Sequence, residues 1–216
     1  MSSHPTPFAR WYFDLISPYA YLHLKQFGRL PPDMDIEHVP ILFAGLLAHW
    51  GQKGPAEIVP KRRYAYRQIV WLAERLEIEF RMPPRHPFNP LPALRLLLAA
   101  GATGKHVEIA FDMIWKEGRD LQSRDSLAYL GYRFGIDDIE AVLADVRIKE
   151  QLRENTDDAI GNGIFGVPTF LVDGTPFWGQ DSLEMMLDYL RNPAIFQTSE
   201  MRRVENLPLG ASRRDG

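Results

Sequence analysis

The segment Phe13-Asp14-Leu15-Ile16-Ser17-Pro18-Tyr19-Ala20-Tyr21-Leu22 decides how this chain is read. Upstream of Ser17, residues 8–16 form an aromatic and apolar run, Phe-Ala-Arg-Trp-Tyr-Phe-Asp-Leu-Ile, which predicts a buried strand. Serine is a favoured helix N-cap, and proline is favoured at the first helical position. Ser17-Pro18 therefore marks an abrupt strand-to-helix junction, with a helix expected from Tyr19 to Leu30 and stopped by Pro31-Pro32. Residues 36–43 read as a second strand, Pro40 marking an edge or a strand end. Strand, helix, strand predicts a parallel crossover.

Beyond residue 43 the period changes from strand to helix. Ile69, Leu72, Ala73 and Leu76 fall at helical spacing within 61–78, and Val107, Ala110, Phe111, Ile114 and Trp115 make a stripe within 105–117. Leu91–Ala100 is a short apolar helix, and 123–134 and 137–149 repeat the helical pattern. Between them, residues 81–92 carry five prolines and predict a stiff loop. Strand character returns at Val167-Pro168-Thr169-Phe170-Leu171-Val172. Asp173-Gly174 is a tight-turn signal, so Thr175-Pro176-Phe177-Trp178 completes a hairpin. A last helix is expected over 182–191, then a mobile polar tail. The sum is an α/β chain: a thioredoxin-like core, βαβ…ββα, with a large all-helical insertion. The expected division is core over 8–43 and 164–191, helical insertion over 44–163 and tail over 192–216.

Composition narrows the function. The chain has 216 residues, 45% of them apolar, and a net charge of −3, so no broad basic field suggests nucleic acid. There is no apolar run long enough for a membrane span, and Met1–Arg10 has no secretory character, so a cytoplasmic location is expected. Cysteine is absent. This excludes disulfides, thiolate metal sites and any dithiol redox cycle carried by the protein itself. No histidine or carboxylate spacing suggests a metal.

Three places could carry chemistry. At the Ser17 helix start, free N–H groups and the helix dipole favour an anion, and a serine hydroxyl can donate to a thiolate supplied by a bound thiol. Ser17 as a plain N-cap remains the alternative. A nucleophilic serine would need a base that nothing nearby supplies, His23 reading as a surface residue. At Gly166-Val167-Pro168-Thr169-Phe170, a proline opens a buried strand. A cis Val167–Pro168 bond would free Val167 backbone groups for a ligand, and an ordinary trans bond is the alternative. At Phe177-Trp178-Gly179-Gln180-Asp181-Ser182, Asp181 could cap the last helix or receive an amino group. Beyond these, the stiff loop presents Arg85, His86 and Asn89 to a pocket, with a structural histidine as the alternative, and after the second strand stand Lys53 and the run Lys61-Arg62-Arg63, which reads as a solvated helix start or as a guide for an anion.

These motifs, in this order and spacing, resemble the DsbA-like branch of the thioredoxin superfamily. Ser17-Pro18-Tyr19-Ala20 stands where redox members carry Cys-Pro-x-Cys, and Ile164-Phe165-Gly166-Val167-Pro168-Thr169-Phe170 is similar to the superfamily's cis-proline loop. Phe177-Trp178-Gly179-Gln180-Asp181 resembles the ending of 2-hydroxychromene-2-carboxylate isomerases, which with kappa-class glutathione transferases form a serine-bearing, glutathione-binding subgroup. The resemblance spans about residues 10–191. It implies glutathione as cofactor, with Ser17 on its sulfur, Val167 beside cis-Pro168 on its backbone, and Trp178, Gly179, Gln180 and Asp181 on its γ-glutamyl end. It also implies a small-molecule substrate and a homodimer; Tyr19, Lys53, His86 and Asn89 are the residues of this chain expected to meet that substrate. The implied activity is glutathione-dependent isomerisation, with kappa-like transfer as the alternative and a non-catalytic binding module as the alternative of another class. Leu47 and Glu57 stand where the isomerases carry Lys and Asn, and His86 falls near a family tyrosine, so the substrate pocket departs from the pattern.

Overall fold

The computed structural model describes residues 7–208, 210 and 211. Strand β1 (Phe8–Phe13) leads into helix α1 (Pro18–Leu24), which crosses to β2 (Asp35–Pro40). β1 and β2 pair in parallel, Trp11 opposite His38. β3 (Thr169–Val172) adds antiparallel to the other side of β1, and β4 (Thr175–Trp178) pairs with β3, giving the order β2-β1-β3-β4. Asp173 and Gly174 both have positive φ, 49° and 76°, as a tight hairpin turn between twisted strands requires.

Alternation along β1 assigns the two faces of the sheet. Trp11 and Phe13 stack at 4.5 Å on one face and Tyr12 points to the other. From Trp11 to Phe13 both faces are covered, while Phe8 and Arg10 at the start of β1 reach solvent. The larger face packs Phe170, Phe111 and Trp115 against Trp11 and Phe13 in one continuous cluster. The smaller face holds Tyr12, Val39, Leu46, Ala159 and Val167.

Between β2 and β3 the chain is helical: α2 (Phe43–His49), α3 (Val59–Arg75), α4 (Leu91–Ala99), α5 (Gly104–Phe111), α6 (Arg124–Phe134), α7 (Ile139–Ala144) and α8 (Val146–Gly161). α5 runs into a wider π turn at Asp112–Lys116. This turn brings Trp115 under the β1–α1 junction, where its Nε1 donates to the Leu15 carbonyl at 3.0 Å.

Several element boundaries differ from expectation. β1 stops at Phe13 because Asp14 uses its side chain on the loop that follows. α1 is shorter than expected and continues only as a 3-10 turn, Phe27–Arg29. Phe43 opens α2 instead of closing β2. The helical pattern of 137–149 is two helices. The Asp145 carboxylate caps the second, which runs on to Gly161. The stretch after Asn192 is not simply a tail. Pro193–Gln197 forms a 3-10 turn, and Phe196 stacks on Phe177 and Tyr189. Helix α10 (Ser199–Val204) follows α9 (Leu183–Arg191), and residues 212–216 lie outside the described residues.

Candidate active site

Ser17 is the N-cap of α1, its Oγ accepting the Ala20 N–H at 3.2 Å. The cap reading is therefore correct as far as it goes. A hydroxyl has one proton to donate as well, and the Ser17 proton has no acceptor among the described residues. Ser17 is 8% exposed, and it borders a cavity of about 600 Å³. A single group thus satisfies the helix with its lone pair and keeps its proton unassigned at the border of the cavity.

The Val167–Pro168 bond is cis. Val167 borders the same cavity, and its N–H and C=O have no backbone partner among the described residues. Pro168 itself lies behind the wall, where its carbonyl accepts the Gly179 N–H at 2.9 Å and ties the loop to the end of β4. Trp178 is 54% exposed and stands at the cavity mouth edge-to-face with Phe165, ring centres 5.0 Å apart. Gly166 lies directly under the indole, leaving no room there for a Cβ.

Gly179, Gln180 and Asp181 follow Trp178 without bordering the cavity. Gly179 has φ +93°, which glycine tolerates and L side chains rarely adopt. Asp181 does not cap α9. It sits within the 3-10 turn Gln180–Ser182, exposed and without a hydrogen-bond partner among the described residues. The position before α9 belongs to Ser182, whose hydroxyl donates to the Gly179 carbonyl. The Tyr19 phenol is pushed up by burial first, then by Tyr64 and Asp181, which places Asp181 near that side of the cleft. Tyr19 donates its hydroxyl to Gln68 at 2.9 Å.

The remaining sequence-predicted residues of the substrate side, Tyr19, Lys53, His86 and Asn89, border the same cavity, as do Leu47 and Glu57. Arg85 turns away toward Asp120. Trp50 is structural, its Nε1 donating to the Ile164 carbonyl at 2.9 Å. His23 is not a surface residue. It is wholly buried among Trp11, Phe27 and Phe170, accepts from Trp11 Nε1, and burial depresses its pKa to about 3. The helical period of α1 carries His23 to the core face, where Phe27 is a local neighbour and Trp11 and Phe170 come from β1 and β3, which no local pattern displays.

Two bordering residues carry little signal in the sequence. Asp14 is fully buried, accepting the Ile16 N–H at 3.0 Å and the Phe43 N–H at 2.8 Å. It thereby clasps the Ser17 loop to the start of α2. Burial raises its carboxyl to about 7, while the two backbone N–H groups pull the other way. Tyr66, on the inward face of α3, contacts both Nδ1 and the carbonyl of His86. Its one pointer is faint: Tyr66 and Ile69 share a face at i, i+3. Among the described residues no cluster of histidines and carboxylates could hold a metal, and no helix is long and apolar enough to cross a membrane.

A cysteine-free serine N-cap and a cis-proline loop bordering one cleft, on a β2-β1-β3-β4 sheet, define a thioredoxin-type scaffold. The chain belongs to the DsbA-like thioredoxin domain family, whose model matches residues 10–191. Among curated proteins it is 27% identical to glutathione S-transferase kappa 2 of Caenorhabditis elegans, over 85% of this chain and 92% of that one. It is also 27% identical to a 2-hydroxychromene-2-carboxylate isomerase of Pseudomonas sp. strain C18, over 82% of this chain and 86% of the relative. A solved 2-hydroxychromene-2-carboxylate isomerase shares the fold with a TM-score of 0.73 at 22% identity, covering 90% of this chain and 98% of that one. The related proteins are thus isomerases and glutathione transferases.

Proposed function

We propose that this protein is a glutathione-dependent isomerase of the 2-hydroxychromene-2-carboxylate isomerase type. The observation that carries the reading is the Ser17 hydroxyl: its acceptor side is used by the α1 cap and its proton stays unassigned at the border of the cavity. The residues present fit glutathione. The α1 N-terminus and the Ser17 proton suit a thiolate, since both stabilise negative charge at one point. The unpartnered Val167 N–H and C=O suit the backbone of a γ-glutamyl tripeptide running antiparallel to them. Exposed Asp181, with Trp178, Gly179 and Gln180, suits its charged amino end.

When bound, glutathione supplies a nucleophilic sulfur that the cysteine-free chain lacks. The chain's own part is to orient and to exclude water. Ser17 holds the sulfur's charge. Trp178 and Phe165 cover the mouth. Apolar Leu47, Phe43 and Phe88 line a space that suits an aromatic-derived conjugated keto acid. Lys53 sits at the rim for its carboxylate, with Tyr19, His86 and Asn89 placing the rest. We assign a cytoplasmic, homodimeric enzyme, the dimer to be checked by light scattering.

Kappa-like transfer is the second reading, favoured by the equal identity to the kappa transferase. One experiment addresses both. Glutathione at about a hundred times its Kd should stabilise the folded state by roughly 2.7 kcal/mol and raise the thermal midpoint. With a conjugated keto acid present, unchanged total thiol during turnover supports the isomerase and stoichiometric thiol loss supports the transferase. No rise in midpoint at millimolar glutathione would sink both and leave a non-catalytic binding module.

A further inference from the structure

His86 and Tyr66 hold more hydrogen-bond capacity than a neutral pair can fill. The His86 Nε2 lies 2.9 Å from the Ile16 carbonyl, which can only accept, so Nε2 carries a proton. In the neutral ring, Nδ1 is then an acceptor. The Tyr66 hydroxyl lies 2.7 Å from that Nδ1 and 2.6 Å from the His86 carbonyl, and its single proton cannot serve both. Adding one proton resolves the conflict. Nδ1–H donates to the Tyr66 oxygen, the Tyr66 hydroxyl donates to the His86 carbonyl, and every group is paired.

Both side chains border the same cavity as Ser17, and the Ile16 carbonyl joins His86 to the residue before Ser17. We infer that Tyr66 and His86 form a one-proton store for the thiol held at Ser17. The inference rests on the glutathione reading. The S–H bond breaks with its electron pair left on sulfur. The proton passes to the Tyr66 oxygen as the Tyr66 proton moves to His86 Nδ1, and the reverse movement returns it when the thiol leaves. No oxidant or other reactant is required.

The charged surroundings suit this use. Burial holds the imidazole below its ordinary pKa, the Ile16 carbonyl opposes this, and Arg62 on α3 adds to the depression. The free pair is therefore neutral, with Nδ1 unprotonated, and it takes a proton only when a negative charge forms in the cavity. Asp14 at the end of β1, Lys61 on α3, and Lys53 and Glu57 on the segment before it also border the cavity. A new anion at Ser17 favours a cation beside it, so thiolate formation draws the proton onto His86.

The test counts protons instead of turnover. Glutathione is titrated into wild type, His86→Gln and Tyr66→Phe near neutral pH, by calorimetry in buffers of different ionisation heat, with thiolate followed by ultraviolet absorbance. Gln can keep a donor toward the Ile16 carbonyl without titrating, and Phe keeps the ring of Tyr66. Wild type should form thiolate with little proton release, and each variant should release about one proton more per thiolate formed. Equal release per thiolate in wild type and both variants overturns the proton store and leaves the glutathione reading standing. Absence of both binding heat and thiolate in wild type overturns the glutathione reading, and the store falls with it.

Discussion

Replacing Ser17 by alanine separates the two uses of one hydroxyl. The first is the cap. Losing the 3.2 Å bond from Ala20 N–H should cost about 1 kcal/mol of stability, the usual value for a serine N-cap. A fold with a continuous core should survive that loss. The second use is the free donor. A hydrogen bond to a charged group contributes about 1.5–3 kcal/mol net. At about 1.4 kcal/mol per pH unit, the pKa of the bound thiol should rise by roughly one to two units in Ser17→Ala. The helix dipole stays, so part of the thiol's depression should stay too. The assay is thiolate absorbance of the glutathione complex against pH, with circular dichroism to confirm the fold. Turnover at neutral pH should fall in step with the thiolate fraction, by at most about a hundredfold and by less the further the wild-type thiol pKa lies below the assay pH. A bound thiol with the same depressed pKa in wild type and mutant would refute the argument and leave the α1 N-terminus as sole cause.

His23 predicts acid sensitivity. Its folded pKa, about 3, lies below the ordinary 6.5, so the unfolded chain binds the proton first as pH falls. Stability is full above pH 6.5 and declines from there toward about 3, by roughly 5 kcal/mol in total and about 2 kcal/mol by pH ~5. Urea midpoints across this range should show the decline, and His23→Asn, which can still accept from Trp11, should flatten it. An equal slope in both proteins would remove His23 as its source. Gly166→Ala should push the Trp178 indole off its seat. The indole is half-exposed and can swing outward, so stability should fall only by about 1 kcal/mol, while glutathione affinity drops up to about tenfold. Calorimetry reads the affinity, and an unchanged Kd would mean that Trp178 is not a wall of the site.

The local features are legible because each follows a short-range rule. Ser17-Pro18 marks a helix start whatever surrounds it, and Asp173-Gly174 marks a hairpin. The absence of cysteine excludes a dithiol redox cycle on composition alone. Helix limits are less legible, since the break between α7 and α8 depends on one capping carboxylate, Asp145, inside a continuous apolar pattern. The segment after Asn192 reads as a tail because Phe196 finds its partners on β4 and α9, outside its own sequence neighbourhood.

By itself, the sequence determined the βαβ and ββα units, the helical stretch between them, and a serine where a thiol-bearing relative would carry cysteine. Only the tertiary structure decided which groups share the cleft. It put Val167 on the same cavity as Ser17 and Tyr66 on His86. It buried His23 in aromatic rings and left Gly179, Gln180 and Asp181 outside the cavity wall. The physical reason is separation along the chain. Caps and turns are fixed within about four residues. The cleft instead gathers side chains from the β1–α1 junction, α2, α3, the proline-rich loop and the cis-proline loop, and only packing across the core brings them together.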